Sequence, residues 1–467
     1  MSNSGDVPCR IGIVGGGPGG LMTAYELQKR SPAHCSVTLY EAAGRLGGKI
    51  VSPRFASADV RYEAGAAELY DYSALGEDPL RELIAKLGLN VFSMSGASTV
   101  MDGNVLQDAD DLGRAYGPAA RQSLMDFDAH AKAWMSPNEY YDSDWSDADV
   151  NGPMTGRTLY DEFADVTHPD ARRYLQIMIH SDLATEPHRT SAGYGLQNYL
   201  MNDDRYMRLY SIEGGMERLT QQLAALVHAD IHLNETVTRV QRSPDGTVRV
   251  HSLRNGVQTC EDFDYLVIAL PYGALSSIEW AGDHLANAMH CHIAHFDHPG
   301  HYLRISMLFQ EQFWGHVFRD SYFMLDAFGG CCLYDESSRN GSKTHGVLGW
   351  LLAGDDAMRA ANHTDDELSA IALDSLPAFL QQGRELALET RVHRWIGSVS
   401  GLPGGNSVLP IQTRHVPDDT MPNLMLVGDY LFDSTLNGVL DSATYVAETI
   451  AESVERRARS LQLAATL

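Results

Sequence analysis

The feature that most restricts the fold of this chain lies near its start. Residues 10–14 form a short apolar run that predicts a strand, residues 15–20 (Gly-Gly-Gly-Pro-Gly-Gly) predict a turn, and residues 21–30 have the composition of a helix. Residues 36–41 predict a second strand, whose last residue, Glu41, follows Gly20 by about twenty positions. This order of elements predicts a βαβ unit that binds a dinucleotide.

Each glycine of the turn has its own expected role. Gly15 permits the tight turn, Gly17 lets the backbone approach a pyrophosphate, and Gly20 lets the helix pack closely on the sheet. The helix N-terminus offers unpaired N–H groups to the phosphates. Glu41 is expected to accept hydrogen bonds from a ribose. The alternative is a glycine-rich surface turn beside an incidental glutamate, which does not account for the flanking strands and helix.

The overall charge and the cysteines exclude several classes of partner and location. The chain has 467 residues and a formal net charge of -26, and it offers no concentrated basic face for nucleic acid or an anionic membrane. Six cysteines without a CxxC pair favour a reduced intracellular chain, and we expect a cytoplasmic location. Neither an N-terminal leader nor a run long enough for a membrane span is predicted.

Strand and helix signals recur along the rest of the chain. Residues 264–271 and 423–429 predict buried strands, and residues 439–456 have helical periodicity. Residues 78–88 predict a helix with proline near its start and glycine at its end, and residues 231–240 predict a strand. The acidic residues 140–149 predict an exposed loop.

These signals imply an α/β domain assembled from separated segments, with a second domain inserted between them. The expected boundaries are residues 8–60, 206–285 and 415–456 for the α/β domain, residues 61–205 and 286–414 for an inserted α+β substrate domain (a helical part plus a mixed sheet), and residues 457–467 for a C-terminal tail.

Further motifs follow the glycine turn in a fixed order. They are Gly44-Arg45-Leu46-Gly47-Gly48-Lys49, Glu63-Ala64-Gly65-Ala66, Gly214-Gly215-Met216-Glu217-Arg218-Leu219 and Gly428-Asp429. Over nearly the whole chain this combination resembles the flavin-containing amine oxidase superfamily, which includes monoamine and polyamine oxidases, L-amino-acid oxidases, protoporphyrinogen oxidase and carotenoid-type desaturases. The resemblance implies a Rossmann-like, glutathione-reductase-type FAD-binding domain.

The resemblance also implies positions that contact FAD. These are Gly15, Gly17 and Gly20 at the pyrophosphate, Glu41 at the adenosine ribose, Arg45, Gly47 and Gly48 as a second phosphate contact, Val237 at the adenine, Gly428 and Asp429 near the ribityl chain, and Val439 in front of the flavin. An alternative for Asp429 is a strand-end residue that caps the next helix. Residues 428–443 contain no cysteine, whereas family members with covalent flavin carry one there. We therefore expect noncovalent FAD.

Three positions depart from the family pattern on the substrate side. Arg304 stands where a catalytic lysine is usual, and a guanidinium, unlike an ammonium, stays charged and prefers planar partners. The alternative is an exposed strand arginine. Val439 stands where one aromatic residue of an amine-binding pair is usual, and Trp395 matches the tryptophan that precedes the other. We expect Arg304 and Trp395 to be catalytic, and both Val439 and Trp395 to contact substrate.

The third departure is Glu68, which follows Gly65-Ala66-Ala67. L-amino-acid oxidases of the family carry an arginine there that binds the α-carboxylate, and a glutamate would repel that group. Glu68 therefore favours a small cationic or neutral amine as substrate, or a substrate whose carboxylate is bound elsewhere. The alternative is that Glu68 pairs with a structural arginine.

A histidine run lies just before the strand that contains Arg304. His290, His292, His295, His298 and His301 fall close together, but their spacing matches no common ligand set, and we expect no metal. One of them is expected to line the substrate site and most to lie at the surface.

The sequence thus predicts an FAD-dependent oxidoreductase that removes a hydride from the carbon next to an amine nitrogen and gives an imine, with dioxygen or another electron acceptor. The alternatives are a desaturase or isomerase that acts on C–C bonds of an apolar substrate, an L-amino-acid oxidase, and a flavin-binding protein without turnover. Self-association into a homo-oligomer stays open.

Overall fold

The structure is a computed structural model, and it describes residues 8–30, 35–96, 98–142, 156–318, 320–337, 344–407 and 409–466. The chain divides into two compact units. The first unit comprises Met1–Ile50, Leu219–Asp297 and Pro403–Leu467, and the second comprises Val51–Arg218 and His298–Leu402. Across the described residues, no helix has both the length and the apolar content needed to cross a membrane.

The strands are β1 (Cys9–Val14), β2 (Cys35–Glu41), β3 (Leu69–Asp71), β4 (Val91–Met94), β5 (Thr99–Met101), β6 (Asn104–Leu106), β7 (Arg208–Ile212), β8 (Asp230–Leu233), β9 (Thr236–Arg242), β10 (Val248–Arg254), β11 (Val257–Phe263), β12 (Tyr265–Ile268), β13 (Glu279–Ala281), β14 (Pro299–Phe309), β15 (Tyr322–Leu325), β16 (Cys331–Asp335), β17 (Gly346–Ala353), β18 (Ala387–Ser400) and β19 (Leu424–Leu426).

The α-helices are α1 (Pro18–Arg30), α2 (Pro79–Lys86), α3 (Ala109–Tyr116), α4 (Pro118–Trp134), α5 (Pro137–Asp142), α6 (Leu159–Ala164), α7 (Pro169–Leu183), α8 (Ala192–Leu200), α9 (Glu217–Leu226), α10 (Tyr272–Leu275), α11 (Asp283–His295), α12 (Gly354–Ala360), α13 (Asp365–Ser375), α14 (Gly383–Leu386), α15 (Ile411–His415) and α16 (Leu436–Thr466). Short 3₁₀ turns span Pro187–Arg189, Ala378–Leu380 and Asp429–Leu431.

A parallel sheet forms the centre of the first unit. Its strand order is β19-β12-β1-β2-β8, and every neighbouring pair runs parallel. The middle strand β1 is flanked by β12 and β2, and it is buried through Ile11 and Ile13 on one face and Val14 on the other. Such burial on both faces is expected of a parallel strand covered by helices. The predicted βαβ unit is confirmed as β1, α1 and β2.

A second sheet of the first unit, β11-β10-β9-β13, corrects one prediction. Residues 231–240 are not one strand, because the chain turns at Asn234, whose φ of 55° is in the left-handed region. The turn separates β8, which joins the parallel sheet, from β9, which joins the second sheet. After glycine, asparagine and aspartate adopt this conformation most readily.

The second unit contains a seven-stranded sheet, β18-β14-β17-β16-β15-β5-β6, and a three-stranded sheet, β3-β7-β4. Long strands β14 and β17 cross the centre of the larger sheet as an antiparallel pair. Large side chains such as Trp314 and Trp350 are fully buried beside them. The unit is therefore a mixed α+β structure, in contrast to the parallel sheet of the first unit.

Other local predictions have mixed outcomes. The helix predicted at residues 78–88 is confirmed as α2, and the Asp78 side chain caps it by accepting the Arg81 N–H. The predicted acidic loop is partly wrong, because Tyr140–Asp142 belong to α5, while residues 143–149 lie outside the described residues. The helix predicted at 439–456 exists but continues to Thr466, so most of the expected tail is helical.

Candidate active site

The glycine turn of the first unit is held by close backbone contacts. Gly15 has a φ of 107°, and a Cβ built on it would lie 2.4 Å from the Ala269 carbonyl oxygen. A Cβ on Gly20 would lie 1.9 Å from the Gly15 carbonyl oxygen. A Cβ on Gly17, by contrast, would meet only the Gly48 Cα, at 3.7 Å. Gly15 and Gly20 are thus required by packing, whereas Gly17 borders open space.

A second glycine loop lies against the first. The Gly47 N–H donates to the Gly16 carbonyl at 2.8 Å, and a Cβ on Gly48 would lie 3.0 Å from the Gly17 Cα. Gly47 and Gly48 both have positive φ, at 107° and 53°. A side chain on either loop would enter the space between them. The two loops therefore form a cradle of bare backbone beside the N-terminus of α1, which suits a pyrophosphate.

Arg45 folds back onto its own loop. Its guanidinium donates to the Leu46 carbonyl at 3.1 Å and to the Gly48 carbonyl at 2.6 Å, and the side chain is exposed. These bonds fix the curvature of the second glycine loop. A direct contact of Arg45 with phosphate stays a prediction.

Glu41 lies at the carboxyl end of β2. Its carboxylate accepts the Gly16 N–H at 2.8 Å and the Ala43 N–H at 2.7 Å. The Glu41 carbonyl accepts the Glu235 N–H at 3.0 Å, which brings the start of β9 beside it. Val237, two residues further on, is buried. The residues predicted for the ribose and the adenine are therefore close in the fold, and their contacts with a nucleotide stay predictions.

Gly428 and Asp429 lie just after β19. The Gly428 N–H donates to Ser442 Oγ at 3.2 Å, and Asp429 Oδ1 accepts the Tyr430 N–H at 2.9 Å within the 3₁₀ turn. Lys49 Nζ lies 3.9 Å from Asp429 Oδ2. Val439, in the first turn of α16, lies 3.7 Å from where a Gly19 Cβ would be. All four positions belong to the first unit, and their contacts with a flavin stay predictions.

In the second unit, Glu63 joins two motifs that are far apart in sequence. Its carboxylate accepts the Met216 N–H at 3.0 Å and the Ser52 hydroxyl at 2.6 Å, and only 1% of the residue is exposed. Ser52 Oγ in turn accepts the Glu217 N–H at 3.0 Å. The buried carboxylate therefore holds the Glu63 motif against the Gly214 motif, which explains why a sequence of this type contains both.

Arg304 is fully buried, so the alternative of an exposed strand arginine is wrong. Its guanidinium pairs with Glu336, donates to the Gly65 carbonyl at 3.4 Å and lies over the Tyr334 ring at 4.7 Å. Burial opposes the charge, but Glu336 outweighs it and raises the pKa of Arg304. Glu336 also accepts the Glu63 N–H at 2.8 Å. Arg304 is thus fixed in a buried network and offers a planar guanidinium where a lysine ammonium is usual.

Trp395 reaches the same segment from β18. Its indole N–H donates to the Ala64 carbonyl at 2.6 Å. Together with Arg304 and Glu336, it binds one backbone group on each of three successive residues, the Glu63 N–H and the Ala64 and Gly65 carbonyls, in the segment that leads to Glu68. The structure therefore shows Arg304 and Trp395 as residues that fix backbone, and their predicted catalytic contacts stay predictions.

Glu68 belongs to a group of side chains that we call the acidic tyrosine cluster. It comprises Glu68, which directly precedes β3, and Tyr70 of β3, Asp182 of α7, Tyr302 of β14, Tyr322 of β15 and Tyr334 of β16. Tyr322 and Tyr334 are directly paired across β15 and β16, with ring centroids 6.0 Å apart. Glu68, Tyr70, Asp182, Tyr302 and Tyr322 remain partly exposed, so the cluster borders space that solvent reaches.

The pKa values of the cluster differ from those of free side chains. Burial, and then the neighbouring Glu68, raises the pKa of Asp182 to about 8. Burial first, with Glu68 contributing, also raises the pKa of each of the four tyrosines well above its ordinary value. Near neutral pH the cluster therefore presents protonated hydroxyls and a protonated Asp182 around Glu68. Aromatic faces beside a carboxylate suit a positively charged ligand.

The sequence model of the flavin containing amine oxidoreductases matches residues 18–451. The chain belongs to this family. The protein is therefore a flavin-dependent oxidoreductase, as the sequence motifs predicted, and its fold is a mixed α/β fold with a parallel sheet.

Individual relatives of this amine oxidoreductase are more distant. A flavin-dependent L-tryptophan oxidase of Lentzea aerocolonigenes is 24% identical over 301 residues, which cover 58% of this chain and 60% of that protein. The chain thus matches about 60% of the length of this curated relative.

Two solved structures share the fold. Putrescine oxidase bound to putrescine is 17% identical with a TM-score of 0.70, and the match covers 95% of this chain and 99% of that one. Cyclohexylamine oxidase from Brevibacterium oxydans IH-35A is 18% identical with a TM-score of 0.71, and the match covers 96% and 100%.

The prediction that most of the histidine run lies at the surface is wrong, because His290 is the one exposed residue among these five described histidines. His290 is exposed, whereas His292 is buried against Phe296 and Tyr430, and burial lowers the pKa of His292 to about 3. His301 accepts the Gly397 N–H at 3.0 Å. Within the described part of the chain, the side chains grouped closely enough to hold a metal are His284, Asp418 and Asp419, which lie outside the run.

Sequence reasoning missed Asp182 and Glu336 among the charged members of these networks, and it also missed the tyrosines Tyr70, Tyr302, Tyr322 and Tyr334. Asp182 occupies the last turn of α7 after the apolar stretch of residues 177–179, and an acid there was the one available signal. Glu336 follows β16 with no motif around it. Their roles are visible only in the folded structure, where Asp182 lies near Glu68 and Glu336 pairs with Arg304.

Proposed function

We propose that this enzyme oxidises an amine group of a substrate that also carries a separate positive charge, and that Glu68 binds that charge. The observation that carries the proposal is the convergence of Glu68 and Asp182 with four protonated tyrosines. A cation is stabilised there by the carboxylate and by aromatic faces, and the hydroxyls can orient it. An anionic ligand would gain none of these interactions.

Asp182 sets the strength of the site. While it holds its proton, it adds a hydrogen-bond donor and no second negative charge. Its side chain lies 3.4 Å from the Asn202 amide nitrogen. The cluster therefore suits one cationic group near neutral pH, and it gains attraction for cations when Asp182 ionises above about pH 8.

Arg304, Trp395 and Glu336 act on Glu68 through the backbone. They hold the peptide groups of residues 63–65, just before Glu68, and this fixes where its carboxylate can lie. We assign Arg304 and Trp395 a positioning role in substrate binding. Correct placement of a charged group within a fraction of an ångström is worth orders of magnitude in rate.

The cofactor is FAD, held without a covalent bond. Gly15, Gly17 and Gly20 with Gly47 and Gly48 would hold the pyrophosphate against bare backbone, and Glu41 would meet the ribose. The cradle is open at Gly17, where a Cβ would meet only one atom within ordinary contact. A bound flavin supplies the acceptor for the two electrons that leave the C–N bond.

A second candidate substrate is a free L-amino acid, because one relative is an L-tryptophan oxidase. Glu68 argues against it, because an α-carboxylate at the cluster would face a carboxylate among neutral hydroxyls. Arg304 does not remedy this, because its guanidinium is already paired with Glu336. An amine without an α-carboxylate is therefore the first candidate.

The proposal is tested by anaerobic mixing of the purified enzyme with putrescine, cyclohexylamine and L-tryptophan while flavin absorbance is followed. We expect putrescine to bleach the flavin at the lowest concentration, because it carries a second amine as a cation. Bleaching by L-tryptophan alone would overturn the proposal. The flavin released by heat is identified by chromatography, and we expect FAD in the supernatant.

Glu68→Gln tests the role of the carboxylate directly. Loss of a hydrogen bond to a charged group should raise the KM for putrescine by about ten- to hundredfold. Glu82→Gln is the matched control, since Glu82 is exposed and pairs with Lys86 on α2. An unchanged KM in Glu68→Gln would remove Glu68 from the site.

A further inference from the structure

Two cysteines of the first unit are directly opposed in the parallel sheet. Cys9 is the first residue of β1, Cys35 is the first residue of β2, and the register pairs one with the other. Paired residues of neighbouring parallel strands lie about 4.8 Å apart and point to the same face. This spacing is inside the range of about 4.4–6.8 Å that disulfides require between Cα atoms. Both thiols are free and partly exposed.

The hydrogen bond between the two thiols makes them unequal. A hydrogen bond with Cys9 is the main cause that lowers the pKa of Cys35, and the same bond raises the pKa of Cys9. The negative charge of Asp264 opposes the ionisation of both thiols. The Arg457 guanidinium donates to Asp264 at 2.8 Å and partly offsets this charge at Cys9. The Asp264 carboxylate also accepts the Arg10 N–H at 2.9 Å. Cys35 is thus the thiol that ionises first, and Cys9 retains its proton.

We propose that Cys9 and Cys35 form a peroxide-reactive modification site, at which oxidation joins the starts of β1 and β2 by a disulfide. The Cys35 thiolate attacks hydrogen peroxide, so an S–O bond forms, the O–O bond breaks and hydroxide leaves. The Cys9 sulfur then attacks the sulfenic acid, so an S–S bond forms and the S–O bond breaks. The protons of the two thiols leave with the two oxygens as two water molecules, and the two electrons lost by sulfur reduce the peroxide.

The crosslink would enclose the cofactor turn. Residues between Cys9 and Cys35 include the glycine turn and all of α1. A disulfide that closes this segment lowers the entropy of its open and unfolded forms. We expect the oxidised enzyme to release flavin more slowly on heating than the reduced enzyme.

The other cysteines supply matched controls. Cys260 and Cys291 are exposed, whereas Cys331 and Cys332 are buried in β16. Exposure alone would direct peroxide to Cys260 and Cys291. Selective reaction at the partly exposed pair therefore separates the proposal from general surface oxidation.

The test uses the reduced holoenzyme and hydrogen peroxide. After alkylation of the remaining thiols, trypsin cleaves beyond Arg10 and Arg30, so Cys9 and Cys35 are in different peptides. We expect a linked pair about 2 Da lighter than the sum of the two reduced peptides. Cys9→Ser should accumulate a sulfenic acid at Cys35 that dimedone traps, and Cys35→Ser should give neither product. Cys260→Ser should form the link as the wild type does.

Oxidation at Cys260 or Cys291 with no link between Cys9 and Cys35 would overturn the proposal. So would equal trapping of sulfenic acid in Cys9→Ser and Cys35→Ser, because the two thiols would then be equivalent. A second measurement is the half-time of flavin release on heating, which should lengthen on oxidation in the wild type, return with dithiothreitol, and stay constant in Cys35→Ser.

Discussion

The candidate site of the first unit consists of backbone groups, whereas that of the second unit consists of side chains. In the first unit the site consists of backbone, since Gly15, Gly47 and Gly48 adopt left-handed conformations and leave a cradle without side chains. In the second unit the site consists of side chains, since Glu68 and Asp182 meet from separate elements among four tyrosines. A backbone site is encoded by a short local motif, whereas a side-chain site is encoded only by the whole fold. The units should therefore respond differently to mutation and to pH.

The largest expected effect lies in the backbone site. Gly20→Ala puts a methyl group where the Gly15 carbonyl lies, and we expect the flavin-to-protein ratio after gel filtration to fall at least about tenfold. Gly17→Ala sharpens the test, because its methyl group meets only the Gly48 Cα at 3.7 Å. This variant should keep the thermal unfolding midpoint of the apoprotein but lose flavin.

Gly315→Ala is the control for both variants, since Gly315 is exposed and a Cβ there meets no atom closer than 3.8 Å. If Gly17→Ala retains flavin as the wild type does, the phosphates do not lie in the cradle.

The next effect concerns the buried ion pair of the second unit. Arg304→Met removes the cation that pairs with the buried Glu336 carboxylate, and breaking such a pair costs about 3–5 kcal/mol of the free energy of unfolding. Urea denaturation measures this cost. Adding Glu336→Gln to Arg304→Met should recover part of it, because the buried negative charge is removed together with its cation.

Arg189→Gln is the matched control for Arg304. Arg189 pairs with Asp355 at 2.7 Å at the surface of the same unit, and such exposed pairs contribute about 0–1 kcal/mol. Equal costs for Arg304→Met and Arg189→Gln would mean that the buried network does not stabilise the second unit.

A smaller effect should appear in the pH dependence of the second unit. The pKa of Asp182 is raised to about 8 in the folded protein, whereas it is about 4 in an unfolded chain. Between these values only the folded state holds the proton, so the free energy of unfolding falls as pH rises, by at most about 1.4 kcal/mol per pH unit. Above about pH 8 this decline ends.

Asp182→Asn should flatten this part of the stability profile, as measured by urea midpoints at several pH values. Asp366→Asn, at an exposed position of α13, should leave the profile unchanged. A wild-type profile that is already flat between about pH 5 and about pH 8 would contradict the raised pKa of Asp182.

The smallest effect near neutral pH belongs to the first unit and has the opposite direction. Burial lowers the pKa of His292 from 6.5 to about 3, so below pH 6.5 the unfolded chain binds a proton that the folded chain does not. The contribution of His292 to stability is therefore lost as pH falls from 6.5 towards 3. His292→Asn should reduce this acid sensitivity, and His290→Asn, exposed on the same helix, should not. Equal acid profiles in all three proteins would contradict this.

The sequence was informative where local rules decide the structure. The βαβ unit, the helix α2 and the family followed from the glycine turn, from a proline and a glycine at the ends of the helix, and from ordered motifs. Residues 231–240 were misjudged because one asparagine, Asn234, adopts a left-handed conformation that periodicity does not reveal.

The ion pair of Arg304 with Glu336 and the position of Asp182 could not be predicted from the sequence. Each depends on contacts between elements that are distant along the chain. The local pattern of residue types does not specify which acidic residue a buried arginine contacts. The sequence could identify Arg304 as unusual, but the fold was needed to show that its guanidinium binds the backbone before Glu68.

The interleaving of the two units also has a consequence for biosynthesis. The sheet of the first unit begins with β1, yet β1 needs β12, and β12 needs β19 near the end of the chain. The second unit needs no residue beyond Leu402. The unit whose synthesis starts first is therefore the last to be completed on the ribosome. Until β19 emerges, β12 exposes an unpaired edge, and this nascent intermediate is the stage most open to aggregation.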